Sequence, residues 1–146
     1  MSPRDRIRLI GSLSSPITMK RRFWWGLLIL YAGAIFALSQ TPVAVGEAPF
    51  PLYDKCFHAV EFALFFAVAW KATDRRPLPA FVLTAIYAGT DELHQLFVAT
   101  RTASALDLGA DLLGATIALL VLVSGRRLLG FLSHRILGRN QPKVES

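Results

Sequence analysis

Only one cysteine, Cys56, occurs in the 146 residues, so no internal disulfide can brace the chain and no paired-cysteine metal site is available. Near the start of an apolar segment, Cys56 reads as a small packing residue. No His-Glu-x-x-His run occurs, and the spacing that announces a zinc hydrolase is therefore missing. Internal repeats and low-complexity tracts are also lacking, which excludes solenoid and linker architectures. Acid is scarce, with ten Asp and Glu against sixteen Lys and Arg. What is lacking above all is the interleaving of polar and apolar residues that gives a soluble helix its single wet face.

The apolar residues instead come in blocks of about the length, ~20 residues, that crosses a bilayer as a helix. The first, Phe23 to Ser39, is 17 residues without a charge and opens on Trp24 and Trp25, just after Lys20, Arg21 and Arg22. The second runs over about Tyr53 to Ala72, the third over about Leu78 to Val98, and the fourth over about Leu106 to Ser124. Pro42, Gly46, Pro49 and Pro51 break the chain after the first block. Pro77 and Pro79 leave only a short turn between the second and third, which predicts a tight antiparallel hairpin. The expected fold is all-α, an integral membrane bundle of four transmembrane helices. A basic tail (1–22) precedes the membrane domain (23–124), and a second basic tail (125–146) follows it. Within the tails, Ile7 to Leu13 and Leu128 to Leu137 have the makings of basic amphipathic stretches for an anionic leaflet. Span one also has the layout of a signal peptide, ending at Ala37-Leu38-Ser39, but its apolar core exceeds the usual ~7 to 15 residues, and a retained span is the preferred reading.

The charges supply an orientation. Arg4, Arg6, Arg8, Lys20, Arg21 and Arg22, then Lys71, Arg75 and Arg76, then Arg126, Arg127, Arg135, Arg139 and Lys143 all fall on one side of the four spans. That side carries 14 bases and 3 acids, a net +11; the other carries 2 bases and 7 acids, a net −5, and together they give the chain's +6. Cytoplasmic segments hold such an excess of Lys and Arg, so both termini are expected inside. The basic balance then reflects membrane orientation, and no nucleic-acid partner is called for.

Ionisable residues inside a membrane are costly and mark function by default. Here they sit at one depth. Asp54, Lys55, His58 and Glu61 open span two; Asp91, Glu92, His94 and Gln95 close span three; Asp107 and Asp111 open span four. Arg101, Thr102 and Ser104 lie in the connection between spans three and four. Asp54, His58 and Glu61 share a helical face, as do Asp91, His94 and Gln95. Three clusters thus converge on one polar pocket below the outer surface. Its five acids, with Glu92 a candidate sixth, need cations, shared protons or water. Lys55 and Arg101 are the available countercharges, and Arg101 suits bidentate contact with phosphate or carboxylate. His58, His94, Glu61 and Asp91 are chemically able to hold a zinc or iron-group ion, but the spacing is not diagnostic, and no metal or other cofactor is expected. Asp54 also stands where it could cap span two. Ala110, Gly114 and Ala118 give span four a small-residue face, read first as packing within the bundle and second as a homo-oligomer surface.

These residues, in this order, resemble the VanZ-like family of small bacterial membrane proteins. The resemblance rests on Ser39, Thr41 and Pro42; on Asp54, Lys55 and His58; on Asp91, Glu92, His94 and Gln95; and on Arg101-Thr102-Ala103-Ser104, Asp107 and Gly114. It covers about Trp24 to Ser124. The family often has Pro-Gly where this chain has Ala99-Thr100, and Asn where it has Asp111. The family takes its name from a protein associated with resistance to teicoplanin, and no reaction comes with it. The resemblance implies a multi-pass protein of the bacterial cytoplasmic membrane with its polar site facing outside. That site would bind a lipid headgroup or amphiphile and contribute to envelope homeostasis or glycopeptide tolerance. Membrane lipids, a lipid-linked cell-wall precursor and a lipoglycopeptide are the corresponding partners. Two readings stand beside it: an intramembrane enzyme acting on a lipid-linked substrate, with His58 or His94 as base, and a proton-coupled transporter of small solutes. No catalytic residue is assigned, and the balance leans against an enzyme.

Overall fold

The computed structural model describes residues 16–40, 52–98 and 103–138, with side chains from 20 to 135 within those ranges. Expectations for the loop after span one, for 99–102 including Arg101 and Thr102, and for Ile7 to Leu13 fall outside them. Among the described residues the chain is all-helical: α1 (Pro16–Ser39), α2 (Tyr53–Ala72), α3 (Pro77–Gln95) and α4 (Ala105–Gly138). At about 1.5 Å per residue the 20 residues of α2 span about 30 Å, and the 34 of α4 about 51 Å. Two segments, Lys20–Ser39 and Ala105–Arg135, are long and apolar enough to cross a membrane by themselves. Helices α2 and α3 carry more of their polar residues within the helix, as the sequences YDKCFHAVEF and TDELHQ show.

The four helices run alternately up and down. Phe36 of α1 meets His94 of α3, and His58 of α2 meets Asp111 of α4, at one end. At the other, Arg21 of α1 pairs with Asp74 at 3.6 Å, and the Arg126 guanidinium of α4 donates to the Arg75 carbonyl at 3.3 Å. The predicted hairpin between α2 and α3 is present. Thr73 closes α2 by donating its hydroxyl to the Ala69 carbonyl at 2.8 Å, and Asp74 and Arg75 reverse the chain through left-handed φ values of 56° and 62°. Pro77 then opens α3, where its missing N–H costs nothing.

Helix α2 is the hub and packs against each of the other three. Its Phe65 and Phe66, with Trp70, Leu28, Ile35 and Ala115, make the apolar centre. Phe65 stacks on Tyr87 with ring centroids 4.7 Å apart and planes 8° from parallel. The tyrosine hydroxyls in this region find backbone acceptors: Tyr87 donates to the Ala32 carbonyl at 2.5 Å, and Tyr31 to the Glu61 carbonyl at 3.2 Å.

Helix α4 meets α2 at Gly114. A Cβ there would collide with the backbone of Ala59, so only glycine allows this separation. Ala110 and Ala115 are buried beside it. The small-residue face therefore serves the α2–α4 contact.

Two expectations change. The predicted boundary after Ser124 coincides with no helix end, because no proline follows before Pro142 and Gly125 is tolerated; α4 continues to Gly138. Asp54 is not the cap of α2. The cap position belongs to Leu52, at φ 70° and without a side-chain cap bond, and Asp54 stands inside the first turn, where its charge still suits the helix dipole.

Gly114→Val should destabilise the bundle by about 3 kcal/mol, the upper part of the overpacking range, because backbone cannot yield as a side chain can. Gly109→Ala, where an added Cβ meets nothing within 4 Å, should be neutral or stabilising by up to about 1 kcal/mol. Unfolding of the detergent-solubilised variants would measure both.

Candidate functional site

The crossing at Gly114 and Ala59 determines what lies next to it. Helices α2 and α4 run in the same direction, so residues preceding the crossing on one meet residues preceding it on the other. His58 Nδ1 comes to 3.0 Å from Asp111 Oδ1, with both side chains buried. One turn nearer the helix starts, the Lys55 ammonium pairs with the Asp107 carboxylate and, at 3.0 Å, with Asp54. Spacings of three residues on α2 and four on α4 turn two helix starts into a ladder of ion pairs. Lys55, read from the sequence as a cation for an anionic ligand, is thus engaged by two carboxylates.

Helix α3 brings its last turn to the same place. Ser104 caps α4, its hydroxyl accepting the Leu106 N–H at 3.2 Å, and its own N–H donates to Glu92 Oε2 at 2.8 Å. Glu92 therefore ties the end of α3 to the start of α4. Gln95 donates to Asp91 Oδ2 at 3.0 Å, one turn apart on the same helix. Asp91, Glu92, Gln95, Asp107 and Asp111 are all buried. Several of their atoms, Asp91 Oδ1, Glu92 Oε1 and Asp111 Oδ2, have no hydrogen-bond partner among the described residues.

Not every predicted residue joins this group. His94 turns toward α1, its ring 4.3 Å from that of Phe36. Glu61 is one turn deeper and half-buried, and its backbone carbonyl receives the Tyr31 hydroxyl. Asp54 lies at the exposed rim. Ser39 ends α1 with its hydroxyl on the Phe36 carbonyl at 3.0 Å, which is a helix terminus rather than a pocket rim. Glu92, only a candidate sixth acid from the sequence, is central. Its signal was present: Ala80, Thr84 and Ala88 form a buried line of small residues at four-residue spacing, and Glu92 is the next position on that line.

Two sets of donors could hold a metal. His58, Glu92 and Asp111 offer one atom each within 4.8 Å of one another, and Asp54, His58 and Asp107 do the same. The second set is engaged by Lys55 through both of its acids. The first lies wholly in the interior.

A protein-family model described as VanZ/LLP1 matches residues 15–129, most of the chain and every residue of this cluster. The chain belongs to the VanZ/LLP1 family. No curated protein and no solved structure matched it. Membership and the two long apolar helices together make it a membrane protein. In this VanZ-like chain the matched segment ends near Leu129, inside α4, so the helix extends beyond the family's shared part.

A buried pair that loses one partner leaves a charged or polar group stranded. His58→Ala and Asp111→Ala should each destabilise the protein by about 3 kcal/mol. The double variant should fall short of the summed losses by at least about 1 kcal/mol, as a double-mutant cycle would show; strict additivity would mean the pair does not interact.

Proposed function

We propose that all four helices of this VanZ-like protein cross the membrane, with both termini in the cytoplasm. Its buried polar end then lies just below the extracytoplasmic surface and binds the headgroup of a lipid or lipid-linked amphiphile. The observation that carries the membrane part is where large apolar side chains lie. Every helix presents them outward: Ile29 and Leu30 on α1, Val60 and Leu64 on α2, Val82 and Ile86 on α3, Ile117 and Leu120 on α4. Such an apolar girdle belongs against lipid and would be an aggregation liability in water. The basic end, with Arg21, Arg75 and Arg126, supports placement inside. The acidic end supports placement outside.

The headgroup reading rests on the polar cluster and on Arg101, which stands in the chain between the cluster's α3 and α4 members and carries a guanidinium, a group suited to phosphate or carboxylate. A site of this kind, facing outward, would act in envelope homeostasis or in tolerance to a glycopeptide such as teicoplanin. An intramembrane enzyme acting on a lipid-linked substrate is the second reading, and one contact favours it: Asp111 holds the His58 ring as an orienting carboxylate holds a general base.

Topology is checked by fusing alkaline phosphatase, active only outside, at successive loops. Activity is expected for fusions near residues 46 and 100, and none at 74 or the C-terminus. Native mass spectrometry of the gently solubilised protein tests the ligand. A lipid retained by wild type and absent from Arg101→Ala combined with Asp91→Asn is expected for the binder. If both preparations are folded and carry no lipid, the headgroup reading falls. Lipid retained by His58→Gln together with loss of turnover on that lipid would instead favour the enzyme.

A further inference from the structure

We propose that His58, Glu92 and Asp111 form a site for a divalent transition-metal ion of the zinc class, with one ligand from each of α2, α3 and α4. The donor chemistry is one imidazole and two carboxylates, a set suited to zinc and neighbouring divalent ions. The 3.0 Å between His58 Nδ1 and Asp111 Oδ1 is a hydrogen-bond length. It is also about the separation of two donors each roughly 2.1 Å from one ion. One donor atom from each of His58, Glu92 and Asp111 lies within 4.8 Å of the other two.

Acids close together are common without an ion, and two further observations point to one here. First, the relative exposures of Asp111 and Glu92 are 0% and 7%, and each has a carboxylate oxygen without a partner among the described residues. Buried anionic oxygens with no donor are the groups that a cation satisfies. Second, the charges do not balance. Lys55 is shared by Asp54 and Asp107, which leaves Asp91, Glu92 and Asp111 facing His58, the Gln95 amide and the Ser104 N–H. A doubly charged ion between three helix ends would offset two of these three negative charges and tie those ends together. The ion needs no lipid, so the site stands apart from the headgroup reading.

The competing countercharge is Arg101, three residues before Ser104. The test uses the full chain, purified in detergent, stripped with chelator and titrated with zinc, with bound metal counted by elemental analysis after desalting. One zinc per chain and a zinc-dependent rise in melting temperature are expected. Asp111→Asn and Glu92→Gln should each lower retained zinc at least tenfold, while Asp74→Asn, at the opposite end, should retain it. Less than about a tenth of an equivalent in wild type would overturn the site and leave the acids to Arg101. Full zinc in both site variants would also overturn it, since the metal would then sit elsewhere, for instance at the exposed His134. Should the variants fail to fold, cobalt substituted into wild type decides. An absorption spectrum of one cobalt per chain with nitrogen and oxygen ligands supports the site, and none overturns it.

Discussion

The contact between Gly114 and the backbone of Ala59 is the constraint on which the polar end depends. Two parallel helices can approach this closely only where one lacks a side chain. Once they do, the preceding turns have no freedom to avoid each other, and His58 is set against Asp111 and Lys55 against Asp107. A bulkier residue at 114 would separate these pairs and strand charges that are tolerable only together.

Around that contact the protein distributes its residues in the reverse of a water-soluble fold. Phenylalanine, tryptophan and alanine fill the middle, aided by tyrosine hydroxyls that bond to helix carbonyls, while isoleucine, leucine and valine cover the outside. Carboxylates, histidine and glutamine are inside, at one end. If all four helices cross the membrane as proposed, the outer side chains have no reason to hide, and cohesion then comes from close packing and from polar groups that find partners on neighbouring helices. Both sources are visible, the first in the aromatic stack of Phe65 and Tyr87 and the second in the links from α2 and α3 to α4.

The two ends are built on different chemistry. Where the bases gather, the contacts are long or made over aromatic faces, such as Lys71 over Trp24 at 5.7 Å and Arg126 over Trp70 at 5.6 Å, and the charged heads remain near the surface. At the acidic end the carboxylates of Asp91, Glu92, Asp107 and Asp111 are withdrawn from the surface, and each accepts a directed hydrogen bond. Stability alone would favour apolar residues at such positions. The proposed function rests on this costly, partly unsatisfied cluster at one end.

Much of this was legible in the sequence. Apolar blocks of about twenty residues gave the helices, the paired prolines gave the hairpin, and the placement of polar residues at alternate helix ends brought them to one end of the bundle. The VanZ-like motifs marked the same positions that the family match covers. What the sequence did not decide was which of those residues touch. His94 and Gln95 are neighbours in sequence, yet one turns to Phe36 and the other lies buried beside Asp91. Lys55 looked available and is spent on Asp107, and Glu92 looked marginal and is central. The reason is that periodicity reports a buried face only when the solvent is water and the other face is polar. A helix that is apolar nearly all round carries little record of its own rotation, and in this chain that rotation was decided by where a glycine let two backbones meet.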